Sequence, residues 1–192
     1  MKRSVFLALA AGIALAAAPA LSRSAEQAVP SVGQKAPTFT LPSQSGQNIS
    51  LKSYRGHWVV LYFYPRDMTS GCTIEAHNFQ NSLEQFTAKN AVILGVSVDS
   101  TSSHQQFCAK DSLTFHLLSD TGHNVVSKYG SLGDFKGVPI AYRNTFLIDP
   151  HGNIAKVWTK VDPRESASEV LQAIPAPPSH FKPPVQDSGY KP

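Results

Sequence analysis

The chain has no Cys-x-x-Cys pair. Its two cysteines, Cys72 and Cys108, stand 36 residues apart, and Cys72 is followed by Thr73-Ile74-Glu75. That spacing argues against the dithiol centre of a thiol–disulfide exchange catalyst, which keeps both sulfurs within one helical turn. It also departs from copper carriers, which place two cysteines close together with a distant histidine. No Gly-rich phosphate loop of the G-x-x-x-x-G-K type and no G-x-S-x-G elbow occurs, which removes two large classes of hydrolase. The seven histidines are scattered. His104 and Cys108, at i and i+4, are two metal ligands without a third or fourth nearby, so no metal and no cofactor is expected. There is no basic stripe with interleaved aromatics, and nucleic-acid binding finds no support.

Long apolar runs are also scarce. The longest, Val5 to Leu21, falls short of the ~20 residues that span a bilayer. Lys2 and Arg3 precede it and small residues follow, which is the pattern of a secretory signal peptide over residues 1–25, cut after Ala20 or Ala25. The expected location is therefore periplasmic or secreted, with no stable membrane association after cleavage. Export changes the meaning of the charge. The whole chain carries 17 basic and 13 acidic residues. Without Lys2, Arg3 and Arg23 the basic count is 14, so the net charge falls from +4 to +1 and the high pI is mainly a targeting feature. At the other end, Pro175 to Pro192 is proline-rich and polar, which blocks helix and sheet hydrogen bonding and predicts a disordered or extended tail.

Between these ends, residues 26–174 read as one domain of alternating strands and helices. Phe39–Leu41 and Ile49–Leu51 are short extended pieces around a turn. Trp58–Tyr64 is a continuous β-favouring apolar run of the kind buried on both faces, and Pro65 stops it. Phe79, Leu83 and Phe86 share one face of a helix expected over residues 71–89. Ala91–Val98 is the next buried strand, followed by a helix from a Ser102 or Ser103 cap to about Lys110. Leu117–Leu118 predict a short strand, and His123–Tyr129 a short helix ended by Gly130. Asn144–Ile148 and Ile154–Lys160 flank the turn Asp149-Pro150-His151-Gly152. A last helix covers Glu165–Ile174. This alternation predicts a largely parallel α/β sheet covered on both faces, with antiparallel strands added at its edge by the closing hairpin.

In an oxidising compartment two cysteines invite a disulfide, and a structural staple between Cys72 and Cys108 is the plain reading. Position argues for more. Cys72 follows a buried strand and a loop and stands in the first turn of a helix. Unpaired backbone N–H groups and the positive helix end stabilise an anion there, which favours the nucleophilic thiolate.

The segment Pro65-x-x-x-Thr69-x-x-Cys72 matches the signature of the peroxiredoxins. Phe63-Tyr64-Pro65…Gly71-Cys72-Thr73-x-Glu75 resembles their bacterioferritin-comigratory, or peroxiredoxin Q, subfamily. The similarity runs from about Val32 to Ile174 and includes Phe115-His116-Leu117-Leu118-Ser119-Asp120 and Arg143-Asn144-Thr145-Phe146-Leu147-Ile148-Asp149. It implies a thioredoxin-like fold of the peroxiredoxin type, a central mixed sheet flanked by helices. It also implies a thiol-dependent peroxidase that reduces hydrogen peroxide and organic hydroperoxides in antioxidant defence.

The resemblance assigns roles residue by residue. Cys72 is the peroxidatic nucleophile that becomes a sulfenic acid. Thr69 offers a hydroxyl to the peroxide, and Arg143 brings a permanent cation. Pro65 lines the pocket, and Glu75 holds the arginine. In one form of the subfamily a second cysteine lies five residues after the first; that position is His77 here. Other members carry it on the following helix, where this chain has Cys108, which implies a resolving Cys72–Cys108 disulfide. Such a bridge needs Cα atoms within roughly 7 Å, so local unwinding of both helices is expected. A spectator Cys108, with an external thiol resolving Cys72, is the alternative. Ser70 stands where many relatives have proline, which loosens the loop. Met68 stands where many are polar, which makes the pocket rim more apolar. A hydroperoxide substrate, a thioredoxin-like reductant and a monomeric state complete the expectations. A thioredoxin-like thiol–disulfide oxidoreductase and a copper chaperone are the competing readings.

Overall fold

The computed structural model describes residues 28–177. The expected signal segment and the tail beyond residue 177 lie outside the described residues. Strands β1 (Thr40–Pro42) and β2 (Asn48–Ser50) form a small antiparallel hairpin, followed by a single 3-10 turn over Leu51–Tyr54. The main sheet is built from β3 (Trp58–Phe63), β4 (Ala91–Ser97), β5 (His116–Ser119), β8 (Thr145–Ile148) and β9 (Ile154–Trp158), in the order β5-β4-β3-β8-β9. Helices α1 (Ser70–Asn81) and α2 (Leu83–Ala88) connect β3 to β4, and α3 (Thr101–Asp111) connects β4 to β5. A short α4 (Asn124–Lys128) and a second hairpin, β6 (Leu132–Phe135) with β7 (Val138–Ala141), precede β8. Helix α5 (Ser166–Ala173) closes the described fold.

The run Trp58–Tyr64 explains why β3 is central. Alternate side chains point to opposite faces of a strand. Val59, Leu61 and Phe63 enter one core with Phe39, Leu41, Val126, Tyr129 and Phe146. Val60, Tyr62 and Tyr64 enter a second core with Phe79, Phe86, Phe107, Leu117 and Val170. A strand buried on both faces must be apolar throughout, as this one is. Cys72 and Cys108 both belong to the second core.

The mixed sheet differs from a largely parallel one. β3 pairs in parallel with β4, and β4 with β5, whereas β8 runs antiparallel to both β3 and β9. The antiparallel half therefore begins beside the central strand rather than at an edge. All four residues of β8 are buried, so it requires a neighbour on each side and cover on both faces. The helix expected over residues 71–89 is two helices. Ser82 breaks it with φ −98° and ψ 3°, its N–H reaching the carbonyls of both Asn78 and Phe79 at 3.2 Å. This turn lets Phe79 and Phe86 both stay fully buried, with ring centroids 5.9 Å apart. The cap of α3 is Ser100, not Ser102 or Ser103; its hydroxyl accepts the Ser103 N–H at 3.2 Å. The expected turn between β8 and β9 forms, with Gly152 at φ +74° and the Gly152 N–H donated to the Asp149 carbonyl at 2.8 Å.

Candidate active site

Cys72 is the third residue of α1, and 1% of its surface is exposed. Thr69 is the helix cap but its side chain makes no capping bond. The Thr69 hydroxyl instead donates to the Arg66 carbonyl at 3.1 Å. The first-turn N–H groups beside the sulfur are thus left without a side-chain acceptor, and they carry the positive end of the helix dipole. Thr69 is exposed and Pro65 half-buried, in the segment that leads into α1.

Arg143, just before β8, completes the site. Its Nη2 lies 3.4 Å from Cys72 Sγ, and its Nη1 pairs with Glu75 Oε2 one turn further along α1. Burial works against the guanidinium's charge. The Glu75 carboxylate and the Cys72 sulfur outweigh it and hold Arg143 above its ordinary range. Glu75 is fully buried; burial pushes its carboxyl up to about 7 against the opposing pull of Arg143. The Ser166 hydroxyl of α5 pulls the same way as Arg143 without closing a hydrogen bond to it. Six sequence-predicted residues therefore fall into three groups. Arg143 contacts both Cys72 and Glu75, Thr69 and Pro65 belong to the segment that leads into α1, and Cys108 shares the core with Cys72.

Arg143 lies two residues before β8, and backbone bonds strap it in place. Val161 N–H donates to its carbonyl at 3.0 Å, and the Tyr142 N–H to Ser131 O at 2.6 Å. The next residue, Asn144, is buried; its carbonyl accepts from Phe63 N–H at 2.8 Å and its side chain donates to the Ser131 hydroxyl at 3.0 Å. Cys108 is also 1% exposed and not disulfide-bonded. Burial, with Asp67 and Asp111 adding to it, pushes its thiol up to about 12.

A match to the AhpC/TSA family model spans residues 32–157, which includes Pro65, Thr69, Cys72, Glu75, Cys108 and Arg143. The chain belongs to the AhpC/TSA family. A Coxiella burnetii protein named putative peroxiredoxin bcp is 44% identical over 147 residues, covering 73% of this chain and 95% of that one. The crystal structure of a Xylella fastidiosa PrxQ mutant superposes with a TM-score of 0.72 at 34% identity, over 76% of this chain and 95% of that one. A Xanthomonas campestris bacterioferritin comigratory protein, solved in work on its alkyl peroxide reduction activity, gives 0.70 at 35% identity over 75% and 97%. The chain is thus a peroxiredoxin of the Bcp/Q kind, a thiol-dependent peroxidase with an antioxidant role and a thioredoxin-like fold.

Sequence reasoning passed over several neighbours of this peroxiredoxin site. A Cβ on Gly71 would stand 3.3 Å from Arg143 Nη2, so the guanidinium reaches the sulfur across a bare backbone. Asp67, in the loop before Cys72, is buried and accepts hydrogen bonds from Tyr64 Oη at 2.7 Å and Ser103 Oγ at 2.7 Å; His104 Nδ1 lies 2.8 Å away. His104, weighed above only as half of a metal pair, spends that nitrogen on Asp67. Tyr62 is fully buried over Gly95, its hydroxyl without a partner among the described residues. The only sequence signal for Asp67 and His104 is their polarity beside apolar runs, which does not identify partners 37 positions apart.

Proposed function

We propose that Cys72 is the peroxidatic cysteine, Cys108 the resolving one, and that the enzyme works outside the cytoplasm with a thioredoxin-like protein reductant. The Cys72 thiolate attacks one peroxide oxygen; an S–O bond forms, the O–O bond breaks, and water or alcohol leaves after taking a proton. The observation that carries this reading is Arg143 Nη2 at 3.4 Å from the sulfur. A fixed cation there favours the thiolate and stabilises the charge that develops on the leaving oxygen. Thr69, its proton engaged by Arg66, presents oxygen lone pairs to the peroxide O–H. Glu75 fixes the guanidinium, and Pro65 shields one side of the pocket.

The Cys108 thiol is protonated at neutral pH while buried, since burial and two carboxylates push it up to about 12. It becomes a competent nucleophile when α3 opens, which supports resolution coupled to local unwinding. Exposed Met68, in the loop before Cys72, gives the approach to the site an apolar character. That supports bulky organic hydroperoxides as good substrates, the activity for which the Xanthomonas relative was studied. Export rests on the basic start and apolar run of residues 1–25, and a monomeric state on the subfamily resemblance.

The test is peroxide consumption with a dithiol reductant by the wild type and by Cys72→Ser, using hydrogen peroxide and a bulky alkyl hydroperoxide. Complete loss in the variant is expected; retained turnover overturns the assignment of Cys72. Clear preference for hydrogen peroxide overturns the substrate reading. Intact mass of exported material, oxidised and reduced, reads the leader cut and the Cys72–Cys108 bridge together. Velocity sedimentation reads the oligomeric state.

A further inference from the structure

Two histidine–aspartate pairs join the cysteine-bearing segments, one on each side of the sulfurs. Asp67, five residues before Cys72, meets His104, four residues before Cys108, with Oδ2 and Nδ1 2.8 Å apart. His77, five residues after Cys72, meets Asp111, three residues after Cys108, with Nε2 and Oδ1 3.0 Å apart. The first pair is sealed, with both side chains at most 1% exposed. The Tyr64 and Ser103 hydroxyls also donate to the Asp67 carboxylate, and the Asp67 N–H donates to Asp99 Oδ2 at 2.9 Å. The second is half open to water: His77 is 47% exposed, whereas Asp111 is 10% exposed and its Oδ2 is buried without a partner among the described residues. Gln80 extends it, accepting the Thr114 N–H at 2.8 Å and donating to the Thr114 hydroxyl at 3.0 Å.

No residue of either pair touches the Cys72–Arg143–Glu75 contacts, so peroxide attack does not need them. Both span the two segments that must part and rearrange for the sulfurs to meet. We infer that the Asp67–His104 and His77–Asp111 pairs clamp the reduced enzyme closed and set the rate of disulfide closure, without setting the rate of peroxide attack. In the closing step Cys108 sulfur bonds to Cys72 sulfur and the sulfenic S–O bond breaks. The hydroxyl leaves with the Cys108 proton as water. Contacts made only in the closed state oppose the opening that precedes this step. A slower closure leaves the sulfenic acid longer in the presence of peroxide, where a second molecule takes it to the sulfinic acid. The clamp therefore also sets sensitivity to overoxidation. This inference rests on the Cys72/Cys108 assignment proposed above.

The experiment is rapid-quench oxidation with one equivalent of hydrogen peroxide, followed by thiol trapping and intact mass, which separates thiol, sulfenic and disulfide forms. His77→Ala, Asp111→Ala and the double variant change the pair that has one partner in water. Their Cys72 oxidation should match the wild type, while closure accelerates about threefold or more, as expected for one partly buried charged hydrogen bond. The double variant should be no faster than Asp111→Ala, because both substitutions remove the same interaction; His77→Ala, which keeps the Asp111 carboxylate beside Cys108, reads the clamp apart from that carboxylate's effect on the thiol. Sulfinic acid at high peroxide should fall in proportion. Asp67→Asn should accelerate closure further; should it not fold, the His77–Asp111 pair decides. Closure that is unchanged or slower in the His77 and Asp111 variants, or that changes in step with Cys72 oxidation, overturns the clamp alone. A wild type that accumulates sulfenic acid and never forms the bridge overturns the resolving role of Cys108 and the clamp with it. A wild-type Cys72 that does not oxidise overturns the peroxidatic assignment.

Discussion

Gly71 and Glu75, one turn apart on α1, together place Arg143, one by having no side chain and one by pairing with the guanidinium. The missing Cβ leaves a gap of 3.3 Å to Nη2, tighter than a methyl group accepts without displacement. In Gly71→Ala the guanidinium must move by a few tenths of an ångström away from the sulfur. Alanine is the better helix former by about 1 kcal/mol, so stability should hold or rise while the peroxide reaction slows by about tenfold, about 1.4 kcal/mol of barrier. Stopped-flow oxidation set beside a melting curve checks this; equal loss of both would mean the helix start itself is damaged. Glu75 gives a pH signature. Its folded-state value, about 7, is raised from an ordinary 4.5, so the folded protein holds the proton more tightly than the unfolded chain. The resulting stabilisation is fully present below 4.5 and is lost as pH rises through about 7, on the order of 3 kcal/mol in all. Urea unfolding from pH 4.5 to 8 should show that decline in the wild type and not in Glu75→Gln. None of this was legible in the sequence beyond the identities of Cys72, Glu75 and Arg143. The motif names which residues meet, whereas the need for glycine at 71 comes from a side chain 72 positions away.

The elements that carry the sulfurs were mostly legible, and the misreadings have physical causes. β3 was plain because a strand buried on both faces leaves an unbroken apolar run. The hairpin β6–β7 was missed, since its turn is Lys136-Gly137, with φ +55° and +83°, and not the Asn-Gly or Asp-Gly that mark such turns most strongly. Leu132, Phe135 and Val138 are also largely exposed, so the hairpin lacks the in-out alternation by which a half-buried strand is recognised. The break at Ser82 was hidden because Phe79, Leu83 and Phe86 keep helical spacing across it. The start of α1 supports a prediction at this scale. Ser70 is the first helical residue, and Thr69 before it has φ −83° and ψ 149°, the extended geometry that a following proline requires. Ser70→Pro should therefore stabilise the protein by about 0.4–1 kcal/mol by restricting the unfolded chain. It should also slow disulfide closure, because the same restriction resists unwinding beside Cys72. A raised melting temperature with slower bridge formation is the expected pair of results; a lower melting temperature would mean that the loop of Met68, at φ +57°, cannot accept the ring.

At the scale of the whole molecule, the two cysteines lie in one core, on helices attached to the same face of one sheet. A bridge between positions 36 apart should stabilise the folded state by about 4 kcal/mol through loss of unfolded-chain entropy. In this fold that gain has a large opponent. If the sulfurs meet through the proposed unwinding of α1 and α3, Phe107 and Cys108, both at most 1% exposed, leave their packing. Returning one buried phenylalanine to water costs about 3 kcal/mol. The buried Asp67–His104 contact adds several more when one partner is withdrawn, before any helical hydrogen bonds are counted. The opposing sum exceeds the entropic gain, so the reduced enzyme should be the more stable form, the reverse of a structural staple. A bridge that destabilises its own fold is readily reduced, as a peroxidase recycled at each turnover requires. Calorimetry of the oxidised and reduced proteins should give the lower melting temperature to the oxidised one. An oxidised form that melts higher would show that the helices stay wound around the bridge, and that Cys72–Cys108 is a staple after all.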